Sequence, residues 1–265
     1  LSLTGKGTII AFLDTGIDYR NPVFQNPDGS SRILAIWDQT IQDGTPPAGF
    51  EYGTEYTKEE INRALQNENP YSVVPSRDEN GHGTAIASIA AGSRRNGGST
   101  FLGAAPEAEI LVIKLKECKP YLRDYYLIPQ QTPAYQSTDI MMALEYADGF
   151  ARSFSRPVIF CIALGSSYGS HSGNSPLSNY MNRLANKRSR IFVVGGGNEG
   201  NAAHHYEGNL SPGNGREEES REEIEIRVGE NERGFLTEIW GKAPNIFTLA
   251  IRSPGGEVIN NTSVR

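Results

Sequence analysis

Four short runs of this chain are apolar at consecutive rather than alternate positions: Gly7 to Leu13 (GTIIAFL), Glu109 to Leu115 (EILVIKL), Val158 to Leu164 (VIFCIAL) and Ile191 to Val194 (IFVV). A strand that is apolar on both faces must be covered on both, which is the condition of a central strand in a parallel sheet. The segments between them carry helical signals. Gly83 to Ala91 (GTAIASIAA) is rich in small residues and ends at Gly92, which suits a helix packed closely on a sheet. Residues 137–152 place Ile140, Met141, Leu144 and Ala147 at helical spacing. Residues 175–188 set Pro176 near a first helical position and basic residues in the last turn. Strand and helix alternate, so the expected fold is α/β, a parallel sheet with helices on both faces.

The rest of the chain is less regular. Residues 19–77 read as an irregular stretch rich in Asp, Asn, Pro and Gly, relieved by a capping box, Thr57-Lys58-Glu59-Glu60, ahead of a short exposed helix at about 57–67. Beyond residue 215 the pattern changes. A charged, exposed segment (216–223) precedes apolar runs at Ile224, Ile226 and Val228, at Phe235, Leu236 and Ile239, and at Ile246, Phe247, Leu249 and Ile251. These read as antiparallel strands with turns at Gly229-Glu230-Asn231, Gly241-Lys242 and Ser253-Pro254-Gly255-Gly256. The expected organisation is therefore an α/β part at 1–215 and the start of a β-sandwich at 216–265. Hydrophobic residues make up 37% of the 265, enough for a packed core, and the net charge of -6 argues against nucleic acid as a partner. No apolar run approaches the roughly 20 residues that span a bilayer. Cys118 and Cys161 are too few for a disulfide scaffold, and Cys161, inside a strand-like run, reads as a buried free thiol.

In parallel α/β sheets, sites assemble at the carboxyl ends of strands. Asp14 follows the first run, Leu164 ends the third and Gly165 and Ser166 follow it, and Gly195, Gly196, Gly197 and Asn198 follow the fourth; His82 opens the small-residue helix. An acid that orients an imidazole, and an imidazole that takes a proton from a hydroxyl, are two thirds of the machinery for serine hydrolysis. Asp14 accepting from one ring nitrogen of His82 leaves the other nitrogen for a nucleophile. A side-chain amide such as that of Asn198 can donate to an oxyanion, although an asparagine in a glycine-rich turn also serves as a left-handed turn residue.

Asp14-Thr15-Gly16, Gly81-His82-Gly83-Thr84 and Gly195-Gly196-Gly197-Asn198 resemble three of the four signatures of subtilisin-type serine proteases, in that family's order of Asp before His. The resemblance implies Asp14 and His82 as triad members and Asn198 as the oxyanion donor. It implies Leu164, Gly165 and Ser166 as the strand that pairs with an extended substrate. Gly195, Gly196 and Gly197 become the facing wall of the primary pocket, with Glu199 at its border favouring tolerance for basic P1 residues. Tyr19-Arg20-Asn21-Pro22-Val23-Phe24 and Arg32 to Thr40 resemble, more narrowly, the clostridial germination proteases of the Csp type, which carry a jelly-roll insertion before the serine. Some of that group process a spore-cortex lytic enzyme precursor, and others are pseudoproteases with regulatory roles.

The fourth signature, a Gly-Thr-Ser segment, does not occur in these residues. The expectation is a fragment of a serine endopeptidase whose serine lies elsewhere, inactive alone; the alternative is a catalytically dead binding or regulatory module. Leu1 reads as an artificial start of the chain or as a processing site, and the resemblance implies a cleaved prosegment and the missing C-terminal half as partners beside a peptide substrate. By the same resemblance the protein is secreted or spore-associated. No cofactor is expected. Asp28, Asp38 and Asp43 are carboxylates available to calcium but lack calcium-loop spacing, and His171, His204 and His205 read as loop histidines rather than zinc ligands.

Overall fold

The computed structural model describes residues 3–94, 101–210, 221–232, 234–242 and 244–264. The boundary expected at 215/216 and the first part of the charged segment fall outside the described residues. Among the described residues eight strands and five α-helices follow one another as β1 (Ile9–Asp14), β2 (Ile33–Asp38), β3 (Thr54–Thr57), α1 (Lys58–Leu65), α2 (His82–Ala91), β4 (Glu109–Lys114), α3 (Pro120–Tyr125), α4 (Ser137–Ser153), β5 (Val158–Ile162), α5 (Pro176–Ala185), β6 (Arg190–Val194), β7 (Phe247–Arg252) and β8 (Val258–Val264).

Six strands form one sheet in the order β3-β2-β4-β1-β5-β6. All neighbours are parallel except β3, which pairs antiparallel with β2 at one edge. The consecutive apolar runs have the expected cause. Along β1, Ile9, Ala11 and Leu13 enter one core, while Ile10 and Phe12 enter another. The first core is closed by Ile140, Ala143, Leu144 and Ala147 of α4, and the second by Ala87 and Ala91 of α2. Alternate side chains thus point to opposite faces, and each face has a helix over it.

Local signals hold where side chains and backbone agree. Thr57 and Glu60 complete the capping box: Thr57 N donates to Glu60 Oε2 at 2.8 Å and Glu60 N donates to Thr57 Oγ1 at 3.3 Å. Pro176 stands in the first turn of α5 behind the Ser175 cap.

Two expectations need correction. The stretch 19–77 is not irregular throughout. It contains β2, buried at all six positions, and the edge strand β3. Turn-forming residues on both sides of Ile33–Asp38 mask a run as apolar as those of β1 and β4. Second, residues 224–228 and 235–239 are exposed and form no strands; among the described residues the antiparallel part is the single hairpin β7–β8. Alternation alone does not hold a strand that has neither a partner nor a core to cover one face. The turn at 253–256 does form, with Gly256 at a φ of 89° and its N–H donating to Ser253 O at 3.0 Å.

Candidate active site

Asp14 is the last residue of β1, between β4 and β5 in the sheet, and is only 2% exposed. Its Oδ1 accepts from Thr15 N at 2.7 Å and lies 2.7 Å from His82 Nδ1. A carboxylate only accepts, so Nδ1 carries the proton and donates it. Nε2 of His82 makes no hydrogen bond among the described residues, and the side chain is 42% exposed.

His82 owes its position to the start of α2. The residue before it, Gly81, adopts a φ of 85° and has no side chain with which to cap the helix. The free N–H groups of the first turn find acceptors elsewhere. Gly83 N donates to Thr15 Oγ1 at 2.9 Å, and Thr84 N donates to Asp78 Oδ2 at 2.8 Å. The helix end also lies very close to the β1 loop. A Cβ on Gly83 would come within 2.2 Å of Gly16 O and 3.2 Å of Asp14 Oδ1, so any larger residue there separates His82 from Asp14. Asp78, Thr15 and Thr84 were not among the sequence-derived site residues. The available signal was an acidic residue four positions before a helix-start histidine.

The other expected residues lie on the same carboxyl edge. β5 and β6 end at Ile162 and Val194, and Gly195 N donates to Ile162 O at 3.0 Å, which draws the two strand ends together. Leu164 packs against the core, while Gly165, Ser166 and 195–199 are exposed. The left-handed corner of the last loop is Gly197, with a φ of 85°; Asn198 has no positive φ. The left-handed turn role is therefore taken by the glycine and not by Asn198. Glu199 pairs with His204 Nδ1 at 3.1 Å and accepts from Ser167 Oγ at 3.4 Å.

A family model, peptidase S8, the subtilase family, matches residues 5–215. The chain belongs to the subtilase family. The solved structure of the Clostridium perfringens CspB protease is similar at 34% identity and a TM-score of 0.63, over 76% of this chain and 39% of that one. The Arabidopsis thaliana subtilisin-like protease SBT2.2 is 35% identical over 127 residues, 42% of this chain and 15% of the relative. A second Arabidopsis thaliana relative, the subtilisin-like protease SBT3.6, is 28% identical over 62% of this chain and 21% of its own length. This subtilase chain thus spans between 15% and 39% of the length of these three relatives.

Other expected or excluded ligands are placed as follows. Buried Asp38 accepts from Thr40 N and Oγ1 and from Ser76 Oγ, with Lys114 Nζ at 3.9 Å, so its oxygens are already engaged by the protein. Asp28 accepts from Ser30, and Asp43 is exposed. The rings of His171 and His205 lie 4.9 Å apart. Among the described residues no group of three or more His, Cys, Asp or Glu is placed to hold a metal ion. Cys161 is half-buried rather than fully buried, and burial followed by the nearby Asp14 charge raises its thiol pKa; Cys118 is buried, and both are free. Among the described residues no helix is long and apolar enough to cross a membrane.

Proposed function

We propose that the protein of which this chain is part is a serine endopeptidase that cuts extended peptide segments. The observation that carries the reading is the 2.7 Å Asp14–His82 contact at a strand end, with Nε2 turned away from the acid. In this reading His82 Nε2 takes the proton of a serine hydroxyl as that oxygen attacks the peptide carbonyl, and later returns it to the leaving amine. Asp14 keeps Nδ1 protonated and stabilises the imidazolium. The serine comes from sequence outside these residues. The substrate backbone pairs with 163–166, and residues 195–197 leave room for its P1 side chain. Its partners are then a protein substrate, its own prosegment and the remainder of the polypeptide, and secretion follows from the family's habit. A serine-directed phosphonate is expected to label the full-length protein and to leave its serine-to-alanine variant unlabelled. Failure to label either favours a catalytically dead binding module.

Asn198 is assigned to the oxyanion. Asn198→Ala in the full-length enzyme is expected to lower kcat about 10²–10³-fold with little change in KM, a magnitude carried over from removal of such a donor in a subtilisin. An unchanged kcat returns Asn198 to a turn role. Glu199 is assigned to P1 selection, favouring basic side chains. Glu199→Ser is expected to reduce the kcat/KM ratio of Lys to Leu at P1 by about fivefold, the scale of one partly exposed charge pair of about 1 kcal/mol. An unaltered ratio removes Glu199 from the pocket.

A further inference from the structure

One carboxylate joins the two halves of the Asp14–His82 pair without touching either. Asp78 accepts four hydrogen bonds: from Thr15 Oγ1 at 2.7 Å, Gly81 N at 2.9 Å, Thr84 N at 2.8 Å and Thr84 Oγ1 at 2.6 Å. Thr15 follows Asp14 in the chain, Gly81 precedes His82, and Thr84 lies two residues beyond it. The Thr15 hydroxyl has one proton, which goes to Asp78, so the bond from Gly83 N at 2.9 Å enters its lone pair. Thr84 Oγ1 likewise donates to Asp78 and accepts from Asp18 N at 2.9 Å. Each donor and acceptor in the set has one arrangement that satisfies all the others.

Asp78 is itself held by the sheet. Ser76 Oγ donates to Asp38 Oδ2 at 2.6 Å at the end of β2, and Lys114 Nζ, at the end of β4, donates to Arg77 O at 2.7 Å. The loop before α2 is therefore anchored to two strand ends just ahead of Asp78. Burial favours the neutral acid here, but the bonds from Thr84, Thr15 and Gly81 outweigh it and hold the Asp78 pKa below its ordinary value. The group remains a carboxylate, an anion at the N-terminal end of α2.

We propose that Asp78, acting through Thr15 Oγ1, is a positioning residue that sets where His82 Nδ1 stands relative to Asp14. The proposal rests on the reading of Asp14 and His82 as an acid–base pair. Asp78 does not reach the reacting atoms. It takes over the capping that Gly81 lacks a side chain to perform, and in doing so ties the helix start to the residue next to Asp14.

The test uses the full-length protein and four variants. Asp78→Asn replaces one accepting oxygen by an amide that confronts an N–H or O–H donor. Thr15→Val removes the relay hydroxyl, and Thr15→Ser restores it. Misplacement of a catalytic group by about 1 Å costs on the order of 10²-fold. Asp78→Asn and Thr15→Val are each expected to lower kcat, per active site titrated with a serine-directed phosphonate, by about that factor, with KM within about twofold. Thr15→Ser is expected to stay close to wild type. The Asp78→Asn/Thr15→Val double variant is expected to fall little below the singles, because both cut one relay. A purely structural role would instead lower the titrated fraction and leave kcat per site unchanged, and that result overturns the proposal. So does equal behaviour of Thr15→Val and Thr15→Ser, which also decides the matter if Asp78→Asn does not fold. The low-field proton resonance of His82 Nδ1–H provides a readout independent of turnover. It is expected to shift or broaden in Asp78→Asn and Thr15→Val, and an unmoved resonance overturns the clamp. Absence of hydrolysis by the wild-type protein, with the resonance still responding, counts against the protease reading and not against the clamp.

Discussion

His82→Ala in the full-length protein is expected to lower kcat by about 10⁶-fold, and Asp14→Asn by roughly 10⁴-fold, magnitudes carried over from the corresponding knockouts in a subtilisin. The difference between them has a geometric origin. His82 presents Nε2 outward and would itself carry the proton, so its loss removes the base altogether. Asp14 acts through Nδ1, at 2.7 Å, and an asparagine there can turn an N–H toward the ring and trap the wrong tautomer while leaving the imidazole in place. Steady-state assays of the purified parent and both variants against an unstructured protein substrate measure the effect. His82→Ala retaining more than about one hundredth of wild-type kcat would remove His82 from the role of base, since general-base catalysis alone contributes about 10²–10⁴-fold.

Asp148→Ala is expected to destabilise the full-length protein by about 3–5 kcal/mol, the usual consequence of stripping one partner from a buried ion pair. Asp148, in α4, is fully buried. Its Oδ2 receives Lys187 Nζ at 2.8 Å and its Oδ1 receives Arg190 Nε at 2.6 Å, with Arg152 Nε 3.3 Å away. Arg190 is itself 8% exposed, so without the carboxylate its charge is left in a site that water hardly reaches. The contacts tie α4 to the chain leaving α5 and to the first residue of β6, at the amino edge of the sheet. Equilibrium urea unfolding measures the change, and a loss under about 1 kcal/mol would mean that solvent compensates Arg190.

The pH dependence of that contribution has a definite sign. Burial raises the Asp148 pKa, but the hydrogen bonds from Lys187 and Arg190, with their charges, outweigh it and leave a net lowering. A carboxyl whose folded pKa is depressed contributes fully above its unfolded value of about 3.9 and loses the contribution as pH falls through the folded value. The stability gap between wild type and Asp148→Ala is therefore expected to be flat above about pH 5 and to close on acidification.

How much of this was readable in advance differs from element to element. β1, β4, β5 and β6 announce themselves because both faces of each strand are apolar, and the structure covers both faces of the central ones. β2 has the same character and the same burial, but lies among prolines, glycines and aspartates that read as loop. Its partners are β4, more than seventy residues onward, and the short antiparallel β3, so pairing rather than local pattern reveals it. The reverse failure is at 224–228 and 235–239, where alternation is present and no strand forms. β6 shows why an edge differs from a centre. Phe192 stacks on Phe160 at 4.5 Å, whereas Ile191, Val193 and Val194 remain more than half exposed, with no further strand beside them among the described residues.

The sequence by itself determined the repeating strand–helix order and the two motif residues Asp14 and His82, because these depend on residue type and on spacing along the chain. It left two roles open for Asn198, an oxyanion donor or a left-handed turn residue in its glycine-rich loop. Tertiary structure decided which residue took the left-handed corner, Gly197 rather than Asn198. It decided that His82 faces Asp14 through Nδ1, and that Asp78 and Thr15 supply the acceptors a glycine cap cannot. The physical reason is common to the last two. Backbone periodicity and burial are local or one-dimensional properties. A hydrogen bond between residues more than sixty positions apart exists only once the sheet and its helices have brought their ends to one edge.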